Sequence, residues 1–248
     1  MKMKTPYFKT LTVISLLGIL GLCGLASFGE GTWLTILADD FDHCLIKGSI
    51  IEAQCGQFLL ENPDQIISLE VGSNHDGYIV FNDYGIFNGD GNAFVGCPIE
   101  PFVEDKLFVD FDLISAQTDS CLRCTLSDED DLDVLFCSMG NTGTWQLNGY
   151  DTLIPYASGV EYRVSITLEV DRVGFGPASY TVYCSENGGL PFLLGAGVLP
   201  DFPYGRSIKE IRFEKPAGSV EGIFVIDDIN LEFVIYPEDY NNTNAQGS

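Results

Sequence analysis

The sequence predicts an all-β protein, an antiparallel two-sheet β-sandwich of the jelly-roll kind. Three observations carry this. Apolar and polar residues alternate with period two in several segments, the signature of strands with one face on a core. Turn-forming clusters separate those segments at short intervals. Beyond the N-terminal stretch, no amphipathic helix of convincing length appears.

The elements follow in chain order. Lys2, Lys4 and Lys9 form a basic start, and Leu11 to Leu25 is an apolar run broken only by small or hydroxyl residues. Gly24-Leu25-Ala26 then offers a small-x-small exit. Residues 1–26 therefore read as a helical secretory signal peptide, removed on export, so secreted material should begin near Ser27 or Glu30. The run is short for a membrane-spanning helix, which disfavours a retained anchor. Leu22 before Cys23 disfavours a lipoprotein site.

The sandwich domain is expected over residues 39–235. Ile66 to Val71 and Gly77 to Phe81 read as short strands. Leu107, Val109, Phe111 and Leu113 alternate with Phe108, Asp110 and Asp112. Tyr162, Val164, Ile166, Leu168 and Val170 alternate with Arg163, Ser165, Thr167 and Glu169, and Tyr180 to Cys184 and Ile208 to Phe213 follow. Turns are expected at Asn88 to Asn92, Ser127 to Asp131, Asn141 to Gly143, Gly174 to Pro177 and Asn187 to Gly189. One apolar face per strand suits antiparallel sheets, and two such layers packed together make the sandwich. Residues 236–248 are polar and aperiodic and read as a disordered tail.

The last strand is the most informative. In Gly222 to Phe233, the residues Ile223, Val225, Ile229, Leu231 and Phe233 share one parity with Asp227. A carboxylate in an apolar row needs a hydrogen bond, an ion partner or a metal.

Charge and cysteine usage bound the setting. Of 36 acidic residues none precedes Glu30, and removing the leader leaves nine basic residues, a balance of −27. Nucleic acid and anionic membrane surfaces are poor partners for such a chain, and no membrane insertion of the mature domain is expected. Solubility in a salty setting and divalent-cation binding are both compatible with it. Seven of the eight cysteines lie beyond the leader, and export makes disulfides the default. Folding the chain about Ser127 to Asp131 sets Cys121 opposite Cys137 on an outer face, within disulfide reach. Proximity pairs Cys44 with Cys55 and Cys97 with Cys184, and Cys124 on the core face is then the odd thiol. The opposite projection of Cys121 and Cys124 disfavours a shared zinc.

Other chemistry-bearing patterns are weak. Asn88-x-Asp90-x-Asn92 has calcium-loop spacing but lacks the loop's glycine and closing glutamate, so it reads as a tight turn. His43 and His75 are the only histidines, and neither sits in a nucleophile motif.

The Asp39 to Asp42 opening, the Tyr162 to Leu168 strand with its return at Tyr180 to Val182, and the terminal Ile226 to Ile229 recur together in a known group. The layout resembles secreted jelly-roll domains of the concanavalin A-like and carbohydrate-binding-module type. A terminal Ile-Asp-Asp-Ile also occurs in MAM-type adhesion domains, but their cysteine framework does not match. The resemblance implies a glycan or cell-surface polysaccharide as partner. It also implies a structural Ca2+ tying the first strand to the last, with Asp40, Asp42 and Asp227 as ligands. Aromatic faces suit sugar C–H faces, which makes Trp145, Tyr150, Tyr156 and Tyr84 the stacking candidates. Laminarinase-type glucanases of this fold class carry an acid motif whose nearest match here is Glu129-x-Asp131-x-Asp133. The third acid is Asp where Glu is required, so no catalytic residue is assigned. The expected function is non-catalytic glycan binding or surface adhesion. A polysaccharide-cleaving enzyme and a structural envelope or matrix protein are the alternatives.

Overall fold

The computed structural model describes residues 32–39, 59–61, 67–71, 77–82, 93–102, 106–169, 177–199, 207–216 and 219–235. The leader, the tail, His43, His75 and the turn at Asn88 to Asn92 lie outside them. The described residues form strands and turns with no helix. The strands are β1 (Thr32–Asp39), β2 (Leu59–Glu61), β3 (Ile67–Val71), β4 (Gly77–Asn82), β5 (Ala93–Phe102), β6 (Lys106–Ser115), β7 (Leu122–Asp128) and β8 (Asp133–Met139). They continue as β9 (Thr144–Leu147), β10 (Tyr150–Pro155), β11 (Glu161–Glu169), β12 (Ala178–Glu186), β13 (Phe192–Leu199), β14 (Ile208–Lys215) and β15 (Ile223–Ile235). The first strand begins ahead of the expected boundary at residue 39 and pairs with the last, so it belongs to the sandwich.

Two antiparallel sheets result. One has eight strands in the order β13-β12-β11-β6-β15-β4-β3, with β1 also against β15. The other has seven, β10-β9-β8-β7-β14-β5-β2. The chain alternates between layers from β4 to β7 and again from β14 to β15, which is the jelly-roll path.

The alternation read in β6 and β11 is realised. Leu107, Val109, Phe111 and Leu113, and Tyr162, Val164, Ile166 and Leu168, are all buried. The expected hairpin between β11 and β12 forms, with Leu168 opposite Tyr180 and Tyr162 opposite Glu186. Edge-to-face aromatic pairs lock the layers together. Phe111 of β6 meets Phe213 of β14 at 4.9 Å between ring centroids, and Trp145 of β9 meets Tyr162 of β11 at 5.4 Å. Such pairs add about 0.5–1.5 kcal/mol beyond the area they bury.

The β7–β8 hairpin corrects the expected cysteine register. Asp128 is buried and shapes the turn. Its backbone N–H donates to the Leu132 carbonyl at 3.0 Å, and its carboxylate accepts from the N–H groups of Asp130 and Leu132, each at 3.0 Å. Asp131 takes the left-handed φ of 62° that closes the loop. A register shift after Leu126 then slides β8 along β7, so Cys137 stands opposite Cys124 rather than Cys121. Cys121 precedes β7, and Cys97 and Cys184 sit in different sheets. Cys121, Cys124, Cys137 and Cys184 are free thiols. Cys44 and Cys55 lie outside the described residues.

Burial pushes up the thiols of Cys124, Cys137 and Cys184, the last to about 12. Cys121 is half-buried, and Arg123 and Lys215 partly offset its own upward shift from burial. Alkylation of the reduced native protein should therefore label Cys121 first, and Cys124, Cys137 and Cys184 only on unfolding. Equal labelling of Cys137 and Cys121 by peptide mapping would contradict this register.

Candidate functional site

The last strand does not run as a single apolar row. Asp227 stands opposite Asp112 of β6, but the next pair is Asn230 with Asp110. One extra residue is thus accommodated on β15, a β-bulge, with Asp228 at a left-handed φ of 50°. The bulge inverts the faces. Phe224 and Ile226 are buried before it, Ile229 and Leu231 after it. Asp227 is half-buried on the outer face with Ile223 and Val225, not an acid within the core row. Its Oδ1 accepts the Asp228 N–H at 2.8 Å. The bulge occurs where β15 changes neighbour, from β4 along residues 223–226 to β1 along 229–235.

The outer face of the eight-stranded sheet is a polar grid. Register places Arg163 of β11, Asp112 of β6 and Asp227 in one row, and Tyr183, Ser165, Asp110 and Asn230 in the next. The side chains interlock. Arg163 Nε donates to Asp110 Oδ2 at 2.7 Å, and Nη1 reaches Asp112 at 3.1 Å and Asp228 at 3.3 Å. Ser165 Oγ donates to the other Asp110 oxygen at 2.8 Å. Burial works against the Arg163 charge, but Asp110 and Asp112 outweigh it and raise its pKa. Asp112 goes the other way for a carboxyl. Burial lifts it from 3.8 to about 6, helped by Asp228 and Glu161 and opposed by Arg163.

Beside this grid lies a cleft of about 330 Å³ lined by Tyr78, Asp112, Ile114, Glu161, Val225 and Asp227. Ile114 and Val225 are directly opposed neighbours on β6 and β15 and supply the apolar wall. Three carboxyl groups and one phenol surround it. Such a cleft can hold an amphipathic ring, with C–H faces on the wall and hydroxyls donating to the acids. The sequence reading passed over Asp112, Glu161 and Tyr78. The signal was there in Asp110-x-Asp112, two acids on the wet parity of a strand, but the cleft itself depends on β4, β6, β11 and β15 meeting.

The aromatic candidates separate cleanly. Trp145 is 0 % exposed and Tyr156 5 %, so neither can meet a sugar. Both are core residues, with Tyr156 Oη donating to the Gly140 carbonyl at 2.7 Å. Tyr150 is 79 % exposed on a second groove of about 700 Å³, which Tyr180, Phe136 and Val198 also line. Tyr84 lies outside the described residues.

The acids of the hairpin tip do not assemble. Glu129 and Asp131 belong to the turn and Asp133 starts β8. Ser207 Oγ donates to Glu129 at 3.1 Å and Lys209 Nζ to Asp131 at 2.6 Å, which ties the turn to the approach to β14.

For calcium, β1 ends at Asp39 opposite Ile229, next to the bulge that carries Asp227. Asp40 and Asp42 lie outside the described residues. Among the described residues no group of three or more His, Cys, Asp or Glu is placed to hold a metal.

No known family's sequence profile matches the chain, and no curated protein matches it. Solved structures do match, by fold. A sialidase aligns with a TM-score of 0.56 at 17 % identity over 82 % of this chain, which spans only 18 % of the sialidase. The PL-14 alginate lyase from Aplysia kurodai aligns with a TM-score of 0.59 at 9 % identity, over 82 % of this chain and 100 % of the lyase. The endo-β-1,4-glucuronan lyase from the fungus Trichoderma reesei aligns with a TM-score of 0.50 at 8 % identity, over 80 % and 95 %. At these identities the likeness is one of fold, that of the two-sheet jelly-roll sandwich expected from the sequence.

Proposed function

We propose that this chain is an exported, non-catalytic glycan-binding domain that attaches to a cell-surface polysaccharide, with the cleft between β6 and β15 as its sugar-contact site. The observation that carries this reading is the juxtaposition of an apolar wall, Ile114 and Val225, with the hydrogen-bonding groups of Tyr78, Asp112, Glu161 and Asp227. A pyranose needs both: a surface for its C–H face and acceptors for its hydroxyls. Tyr150 on the second groove is a further stacking position. The fold neighbours that act on polysaccharides by name are consistent with it.

Calcium belongs to the same proposal. Asp227 would join Asp40 and Asp42 in a hard-oxygen site that ties the opening strand to the closing one. Binding to the folded form alone would raise stability by mass action. A glycan array read with calcium and with chelator tests both parts. Tyr78→Ala and Glu161→Gln should each weaken retention roughly tenfold, as loss of a buried contact or hydrogen bond does. Chelation should lower the melting temperature of the wild type and leave Asp227→Asn unmoved. If neither variant alters glycan retention, the cleft is not the site.

One observation favours an enzyme as the second reading. Asp112 and Asp227 are opposed across neighbouring strands in one cleft, and Asp112 holds its proton to about pH 6. A carboxyl whose pKa is raised, beside a second carboxyl, is an arrangement that glycoside hydrolysis uses. Release of reducing ends that Asp112→Asn abolishes would decide for it.

A further inference from the structure

The charge distribution points to the class of glycan, an inference that rests on the glycan-binding reading above. We propose that the ligand is a neutral polysaccharide and that polyuronates are rejected, although two proteins of the same fold are lyases of alginate and of glucuronan.

A uronate residue carries a carboxylate, and a protein site for it needs an uncommitted cation or a fork of N–H donors. The six Lys and Arg among the described residues are all engaged. Lys106 pairs with Glu169, and Lys209 with Asp131. Arg123 pairs with Glu214 and reaches Asp133, and Arg212 pairs with Glu210 at 2.6 Å. The aromatic rings of Phe136 and Phe94 lie against these two guanidinium groups, at 5.0 Å and 4.3 Å, and fix them further. Lys215 is buried, and its ammonium donates to Ser219 Oγ at 2.6 Å and the Val220 carbonyl at 2.7 Å. Arg163, the cation nearest the cleft, already serves Asp110, Asp112 and Asp228.

A uronate entering the cleft would meet Asp112 and Glu161 instead, and Asp227 as well wherever no calcium neutralises it. Like charges at contact distance repel each other even in water. The whole chain adds to this, since its formal charge of −24 repels a polyanion before contact and slows its association. A neutral sugar brings hydroxyl donors to the same acids and meets no such penalty. Selection thus comes from repulsion against the wrong ligand as much as from attraction to the right one.

The test is polymer retention by the full chain, measured with calcium and with chelator. The probes are neutral glucans, mannans and galactans on one side, and alginate and glucuronan on the other. A β-1,4-glucan and a β-1,4-glucuronan of equal length make the sharpest pair, because they differ only at C6. The expected result is retention of at least one neutral polymer, with both polyuronates at least about tenfold weaker. Retention of a polyuronate equal to that of the best neutral polymer, with or without calcium, overturns the inference and leaves glycan binding intact. Retention of no polymer at all removes the glycan reading, and the inference with it.

Discussion

Trp145→Ala should destabilise the fold by about 3–5 kcal/mol, while Tyr150→Ala should change stability by no more than about 0.5 kcal/mol. Both residues are aromatic, close in sequence and equally plausible as sugar platforms by composition. Their positions separate them. Trp145 is fully buried on β9, packed edge-on against Tyr162 of the facing sheet and against Tyr156 at 6.0 Å. Truncation opens a cavity in a close-packed interior that cannot collapse without moving both layers. Trp145→Phe should cost much less, because the Trp145 Nε1 donor is buried without a hydrogen-bond partner and its removal breaks no bond. Urea unfolding of the three variants reads this directly. A Trp145→Ala protein as stable as the wild type would show that the ring does not tie the sheets.

Asp112→Asn should stabilise the protein at pH 7 by about 1–2 kcal/mol after allowance for solvent screening, and should have no effect near pH 4. The sign follows from proton binding. Burial and the neighbouring Asp228 and Glu161 raise the folded-state value of Asp112 to about 6, against 3.8 for the unfolded chain. Between those values the native state keeps a proton that the unfolded state has released. Stability contributed by this group therefore falls as pH rises through the window. The asparagine variant is neutral throughout and can still accept a hydrogen bond from Arg163. The difference between wild type and variant should open between pH 4 and 6 and then hold constant. Parallel unfolding curves at each pH, with a constant difference, would refute the assignment. If the cleft binds neutral glycans, the same variant should also bind with less pH dependence than the wild type.

Much of the architecture was legible in the sequence. The strict alternation of β6 and β11, the β11–β12 hairpin and the turn at Asn187 to Gly189 all appear where the pattern places them. These are local matters. A pleated strand with one wet face writes its own parity into the chain, and a turn needs its own residues. The two misplacements both concern register. In β7–β8 the loop closed by Asp128 and the shift after Leu126 moved Cys137 from Cys121 to Cys124. β8 carries apolar residues on both parities, Val134 and Phe136 on one and the buried Leu135, Cys137 and Met139 on the other, so alternation alone could not choose its inner face.

The sequence by itself determined the class of fold, the acidic balance, the paired acids of β6 on a wet face and the pairing of neighbouring strands. Only the tertiary structure decided which way Asp227 points and which aromatic rings reach solvent. Asp227 leaves the apolar row because β15 must pass from β4 to β1 while keeping β6 on its other side, and the chain meets this with one extra residue. That demand comes from strands distant in sequence, so no local period records it. Trp145 and Tyr150 likewise differ only in which layer stands over them. Period two tells a residue which side of its own sheet it occupies, but the neighbouring sheet decides whether that side is dry.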